Sequence, residues 1–226
     1  MEKDQVLTAI AKSKENSPKR KFNQSFDLII NLKGLDPKKP EHQVDTFVNL
    51  PHARGKKLKV CALVGAELSE SAKSTCDMVI MSDDFVKYTD KREVKKIASA
   101  YDFFIAQANI MPKVATAFGR ALGPRGKMPN PKSGCIVPPN ANLKPLYEKL
   151  QRTIRLVSKA APLIQCAVGT EDMNDSDIAE NILAVYKSLL QALPNEKHNV
   201  KDAYLKLTMG KPIRIDEKIE VVKETK

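Results

Sequence analysis

The sequence predicts an α/β protein of two domains, and three observations lead there. From about residue 60 to residue 153, short apolar runs alternate with charged amphipathic stretches, the rhythm of strand and helix in a small doubly wound unit. The flanking pieces also hold strand-like runs, FDLIINL and VDTFVNL before that region and VKDAYLKL after it. These pieces run to about 60 and about 70 residues, and each alone is short of strands for a stable core. Joined, they make one α/β sandwich into which the middle region is inserted as a second domain.

Composition bounds the function. An apolar fraction of 42% and a charged fraction of 29% are those of a soluble globular chain. Thirty-eight basic against 27 acidic residues leave a net charge of +11, which favours a polyanionic partner, nucleic acid ahead of a membrane surface. Solvated lysines are the plainer reading of the same number. Cys61, Cys76, Cys135 and Cys166 form no CxxC pair, and His42, His52 and His198 stand at no zinc-binding spacing from them. Reduced, mostly buried thiols of a cytoplasmic protein are therefore expected, with no metal and no cofactor. Neither a signal-type apolar core nor a membrane-length apolar run is apparent.

In chain order, residues 4–14 place Val6, Leu7 and Ile10 on one face of a short helix. Lys19, Arg20 and Lys21 then run into Phe22 just before a strand. Cations beside an aromatic suit RNA, while a solvated charge run beside a core Phe is the bland alternative. Strands follow at 26–32 and 44–50, separated by the turn-rich KGLDPKKPEH. The basic turn PHARGKK leads to a third strand at 57–64. ELSESAKSTC, DKREVKKIASAY and ANIMPKVATAFGRALG read as helices, alternating with the strands DMVIM and YDFFIAQ. No GxGxxG follows a strand, so the Rossmann-like rhythm comes without a dinucleotide site.

Residues 119–134, GRALGPRGKMPNPKSG, hold four glycines, three prolines and the cations Arg120, Arg125, Lys127 and Lys132. Gly123-Pro124 ends the preceding helix, because proline cannot continue the hydrogen-bond ladder. A phosphate-binding P-loop is excluded: Met128 follows Lys127 where Ser or Thr is needed, and position 121 is alanine. Beyond it, Asn142 can cap a helix over 143–151. TIRLVSKAAPLIQCAVG reads as a hairpin with Arg155 and Lys159 near its turn. The longest helix follows, capped by Asp175 or Ser176, and the chain closes with a strand, a tight turn at Met209 and Gly210, and a short extended run. The charged tail KIEVVKETK is expected to fray. No grouping of nucleophile and base stands in a catalytic setting, so no enzyme is expected.

GRALGPRGKMPNPKSG, the run F-x-x-S-F-D, then LDP, then L-P-H-x-x-G-K, and finally YLKLTMGKP resemble the signatures of the large-subunit ribosomal protein L1 family. TMGKP and GKMPNP have an archaeal character. The resemblance covers nearly the whole chain. It implies a discontinuous rRNA-binding domain, 1–60 with 154–226, and an inserted three-layer α/β domain, 61–153, carrying the loop 119–134. It further implies binding to the rRNA of the mobile stalk, movement with deacylated tRNA at the exit site, repression of the protein's own mRNA, and a cytoplasmic protein, monomeric when free, among other ribosomal components.

Carried over by position, Phe22, Ser25 and Asp27 match the family's first RNA-facing motif, and Thr208, Met209 and Gly210 the second. The Ser25 or Thr208 hydroxyl can bond a 2′-OH, Met209 offers soft apolar surface, and Gly210 allows close backbone approach to RNA. Asp27 would accept from a 2′-OH or a base amine, a role in specificity. Serine stands at 25 where threonine is common in the family; the hydroxyl is kept. Lys19, Arg20, Lys21, His52, Arg155, Lys159 and Lys211 are candidate rRNA contacts. In the loop, glycines and prolines are assigned to structure. Arg120, Arg125, Lys127 and Lys132 are candidate contacts to tRNA or rRNA.

Overall fold

The computed structural model describes residues 1–36, 39, 42–88, 90–158 and 161–215; Lys159 and the tail 218–226 lie outside the described residues. The first segment contributes helix α1 (Lys3–Glu15) and strands β1 (Ser25–Leu32) and β2 (Val44–Asn49). The middle contributes β3 (Val60–Val64), α2 (Ser69–Thr75), β4 (Met78–Met81), α3 (Lys91–Ala100), β5 (Phe103–Gln107), α4 (Met111–Leu122), β6 (Ile136–Val137) and α5 (Leu143–Gln151). The last segment adds β7 (Thr153–Ser158), β8 (Leu163–Thr170), α6 (Asp175–Ala192), β9 (Val200–Leu207) and β10 (Ile213–Arg214). The chain divides into two compact units, one of Met1–Lys56 with Arg152–Lys226 and one of Lys57–Gln151.

In the first unit, strict alternation along SFDLIINL turns Phe26, Leu28, Ile30 and Leu32 inward and Ser25, Asp27, Ile29 and Asn31 outward. Strand β1 lies between β8 and β9, all antiparallel, in a sheet of order β10-β9-β1-β8. Its inner face packs with Val6, Ala9 and Ile10 of α1 and with Ile178, Ile182, Val185 and Leu189 of α6 in one apolar core. Each of the valines, leucines and isoleucines among them stabilises the fold by about 1.5–3 kcal/mol when fully buried. Helix α6 begins one residue earlier than its expected caps: Asn174 is the N-cap, its carbonyl accepting from the backbones of Asp177 and Ile178.

Among the described residues, the hairpin expected over 153–169 is not formed. Strand β7 pairs with β2, Val44 opposite Ser158 and Asn49 opposite Thr153, while β8 pairs with β1. The reason lies in backbone accounting. Among the described residues β1 and β2 do not pair with each other, so each draws partners from the last segment, and a β7–β8 ladder would leave β2 unsatisfied. The motif L-P-H-x-x-G-K follows β2. Its Gly55 has φ of +76°, and an added Cβ would lie 2.1 Å from the Thr170 hydroxyl, so only glycine fits.

The second unit is a parallel sheet of order β4-β3-β5-β6 with helices on both faces, a three-layer α/β unit of Rossmann type. Its strands alternate between two cores. Cys61, Leu63, Phe104 and Ala106 pack against Val94 of α3 and Val114, Phe118 and Leu122 of α4. Val60, Ala62, Val64 and Ile105 pack against Ala72 of α2 and Leu143 and Leu150 of α5. Asn142 Oδ1 accepts from the Lys144 amide at 3.1 Å, capping α5 as its sequence predicts.

Candidate nucleic-acid interface

The outward end of the β1–β9 ladder gathers most of the residues singled out in the first unit. Phe26 stands opposite Leu207, so the chain leaves β9 where β1 begins. Thr208 completes the last rung with its side chain. Its Oγ1 accepts from the Ser25 amide at 3.1 Å and donates to the Ser25 carbonyl at 3.3 Å, and the Thr208 amide donates to that same carbonyl at 3.1 Å. This hydroxyl, expected to meet a 2′-OH, is therefore tied to the strand. Lys206 Nζ donates to the Thr208 carbonyl at 3.1 Å, and the Gly210 amide closes the turn on the Leu207 carbonyl at 2.9 Å. Gly210 is small for an internal reason: an added Cβ would lie 3.3 Å from the Ser17 hydroxyl and 3.4 Å from the Leu207 side chain.

The basic loop stands against this turn. Lys19, Arg20, Lys21 and Phe22 are all exposed, as are Met209 and Lys211. Among the described residues the large hydrophobics most open to water are Val86, Phe22, Met209 and Val157, so two of four belong to this one strand end. Phe22 and Met209 are each 52% exposed. Gln24, only 1% exposed, links loop and turn: its Oε1 accepts from the Met209 amide at 3.1 Å and its Nε2 donates to the Pro18 carbonyl at 3.3 Å. Sequence reasoning missed Gln24 and Lys206. Both lie inside the matched motifs, F-x-x-S-F-D and YLKLTMGKP, but nothing in a lone Gln or Lys marks it as a connector.

Asp27 faces outward opposite Lys206 on the same ladder, beside a depression of about 270 Å³ lined also by Ile29, Gln165, Cys166 and Ala167. Burial pushes its carboxyl above the ordinary 3.8, and the Lys206 charge pulls the other way. The site thus holds a half-desolvated acceptor beside two projecting apolar side chains and a row of cations.

Three further candidate contacts are placed differently. His52 Nε2 lies 2.8 Å from Glu180 Oε2 and 3.9 Å from Asp177 Oδ1, and the bonds from His52 and Lys3 hold the Glu180 carboxyl below its usual range. Two carboxylates beside His52 repel phosphate. Arg155 sits in the middle of β7, not at a turn, where its Nε and Nη2 grip Asp45 at 2.8 and 2.7 Å and its guanidinium stacks over Phe47. Lys127, in the second unit, donates to the carbonyls of Ala98 and Tyr101 at 3.0 and 2.7 Å, closing the C-terminal end of α3.

Arg125 is also turned onto its own unit, bonding the Ala121 carbonyl at 3.3 Å and the Ser99 hydroxyl at 3.2 Å. Arg120 and Lys132 are exposed, Arg120 on a groove with Phe85, Tyr88, Lys91 and Lys95. Where the strand order of the parallel sheet reverses, between β3 and β5, such folds open to ligands at the carboxyl ends of the strands. Here Gln107, 3% exposed, fills that place, accepting from the Gly65 amide at 2.9 Å and donating to Glu67 at 3.0 Å.

Burial pushes the thiols of Cys61 and Cys166 up to about 12, and that of Cys76 to about 11, so these sulfurs stay protonated and inert near neutral pH. Among the described residues, no helix is long and apolar enough to cross a membrane.

Residues 11–211 match the ribosomal protein L1p/L10e family. The chain is similar to archaeal proteins named large ribosomal subunit protein uL1. It is 40% identical over 216 residues to that of Methanocaldococcus jannaschii, covering 95% of this chain and 96% of the other. It is 43% identical over 210 residues to that of Nanoarchaeum equitans, covering 91% and 97%. With that of Methanothermococcus thermolithotrophicus the identity is 41% over 217 residues, covering 96% and 100%.

Proposed function

The chain belongs to the ribosomal protein L1p/L10e family, and from that membership we propose that it is a structural, non-enzymatic protein of the large ribosomal subunit that grips the rRNA of the mobile stalk. The grip is made by the discontinuous unit, through Lys19, Arg20, Lys21, Phe22, Ser25, Asp27, Thr208, Met209, Gly210 and Lys211. One observation carries this reading: Phe22 and Met209 stand half exposed at one strand end, among cations. Unstacked RNA bases offer flat faces to such side chains, and their phosphates meet the lysines. Asp27, poorly solvated, accepts from a 2′-OH or a base amine and so discriminates rather than attracts.

An mRNA that folds as the stalk rRNA does competes for the same surface, which supplies a route to repression of the chain's own translation in the cytoplasm. The inserted unit swings with the stalk and meets exit-site tRNA through Arg120 and Lys132, the loop cations that stand exposed.

The test is binding to a stalk rRNA fragment against a scrambled RNA across a salt series. Preference for the stalk fragment should persist at high salt. Replacing Phe22 or Met209 with alanine should weaken binding by about 1–3 kcal/mol per lost stacking contact. Replacing each of Lys19, Arg20 and Lys21 with glutamine should lower the log-log salt slope by about 0.7–0.9. Equal, salt-labile binding to both RNAs would reduce the surface to a generic polyanion site.

A further inference from the structure

Gln24 touches both parts of the surface, and neither its burial nor its bonds follow from a role in the core. Its amide is used at both ends. Oε1 accepts from the Met209 amide at 3.1 Å, and Nε2 donates to the Pro18 carbonyl at 3.3 Å, to Ser17 Oγ at 3.3 Å and towards Glu171 Oε2 at 3.5 Å. Its own carbonyl accepts from the Glu171 amide at 2.9 Å. The amide has one workable orientation, since a flipped side chain would set its NH2 against the Met209 N–H and its oxygen against the Pro18 carbonyl.

The partners lie far apart in sequence: Ser17 and Pro18 open the basic loop, Met209 is the tip of the turn after β9, and Glu171 follows β8. We propose that Gln24 is the positioning residue of the RNA surface, a buried amide that latches the loop of Lys19, Arg20, Lys21 and Phe22 to the turn of Thr208, Met209 and Gly210. This rests on the reading of that surface as RNA-binding.

The physical argument is preorganisation. Phe22 and Met209 are each 52% exposed and gain little by packing on the protein, so their own burial does not hold them in place. A loop left free would lose its backbone freedom on meeting RNA, a cost that weakens binding. The latch moves that ordering into folding. Gln24 need not touch RNA at all, and at 1% exposure it has little surface with which to do so.

The experiment compares the full-length chain with Gln24→Ala, Gln24→Glu and the pair Gln24→Glu with Glu171→Gln. The readouts are affinity for the stalk rRNA fragment, thermal melting and hydrogen exchange at the Met209 amide. Gln24→Ala should weaken binding about tenfold, the order expected when a preorganised loop is freed. It should expose the Met209 amide to exchange while the rest of the chain stays protected. Gln24→Glu keeps the acceptor for Met209 but loses the donor to Pro18 and sets a carboxylate against Glu171. Binding should fall, and adding Glu171→Gln should restore part of it, a rescue that general destabilisation would not produce.

A folded Gln24→Ala chain with wild-type affinity overturns the latch. If that variant does not fold, absence of rescue in the paired variant overturns it instead. Phe22→Ala and Met209→Ala are measured alongside. Should they also bind as wild type, the RNA surface itself is misassigned; should they weaken binding while Gln24→Ala does not, only the latch fails.

Discussion

At the scale of single residues, exposure and partners decide roles more than residue type does. Phe22 and Met209 were legible as candidate contacts because each falls in a matched motif, and both stand 52% exposed. Arg155 carries the same kind of charge as Lys19 but grips Asp45, and the His52 ring meets Glu180. Which basic side chain meets a carboxylate is settled by residues more than a hundred positions away. Asp27 gives a prediction at this scale. Its folded-state pKa is raised by burial, so the native protein holds that proton more tightly than the unfolded chain does. The stabilising contribution is fully present below the ordinary 3.8 and is lost as pH rises through the raised value. Asp27→Asn should therefore raise the melting temperature at pH 7, and the gain should shrink as the melts are repeated towards pH 4. A gain that does not change with pH would show that the carboxyl is not the cause.

At the scale of elements, the loop 119–134 illustrates how a basic motif becomes scaffolding. Its glycines and prolines shape the turn, and two of its four cations point back onto α3 and α4. Lys127 meets the last carbonyls of α3, where a helix presents unpaired acceptors and the negative end of its dipole. Charged hydrogen bonds of this kind contribute about 1.5–3 kcal/mol. Lys127→Met should lower the stability of the inserted unit by at least about 1.5–3 kcal/mol, the worth of one such bond. Faster hydrogen exchange at the end of α3 would mark it, with affinity for the stalk fragment unchanged. Loss of RNA affinity at full stability would return Lys127 to the ligand side. The missing hairpin belongs to this scale too. Short spacing between 158 and 163 suggested pairing, and the demand of β1 and β2 for partners overruled it.

At the scale of the whole chain, every ladder of β1 and β2 among the described residues is made with a strand from beyond the insertion. The two ends of the inserted unit leave the first unit side by side, since the Leu50 amide donates to the Arg152 carbonyl at 2.9 Å. Replacing residues 57–151 with a short Gly/Ser linker should therefore leave a folded first unit, because closing a short loop costs little. That unit should bind the stalk fragment with affinity near that of the full chain. A shortened chain that folds but does not bind would move the principal RNA contacts into the inserted unit.

The sequence by itself determined the fold class and the matched motifs, because hydrophobic periodicity and glycine–proline punctuation are local and survive without knowledge of neighbours. It also marked Asn142 as a cap from a few adjacent residues, and the matched motifs made Phe22 and Met209 separate candidate contacts. Tertiary structure alone decided the pairing of β7 with β2, the engagement of Arg155, His52 and Lys127, and the burial of Gln24. Hydrogen bonds and ion pairs in a sheet are made between segments distant along the chain, and no local pattern records which acceptor a given donor will meet.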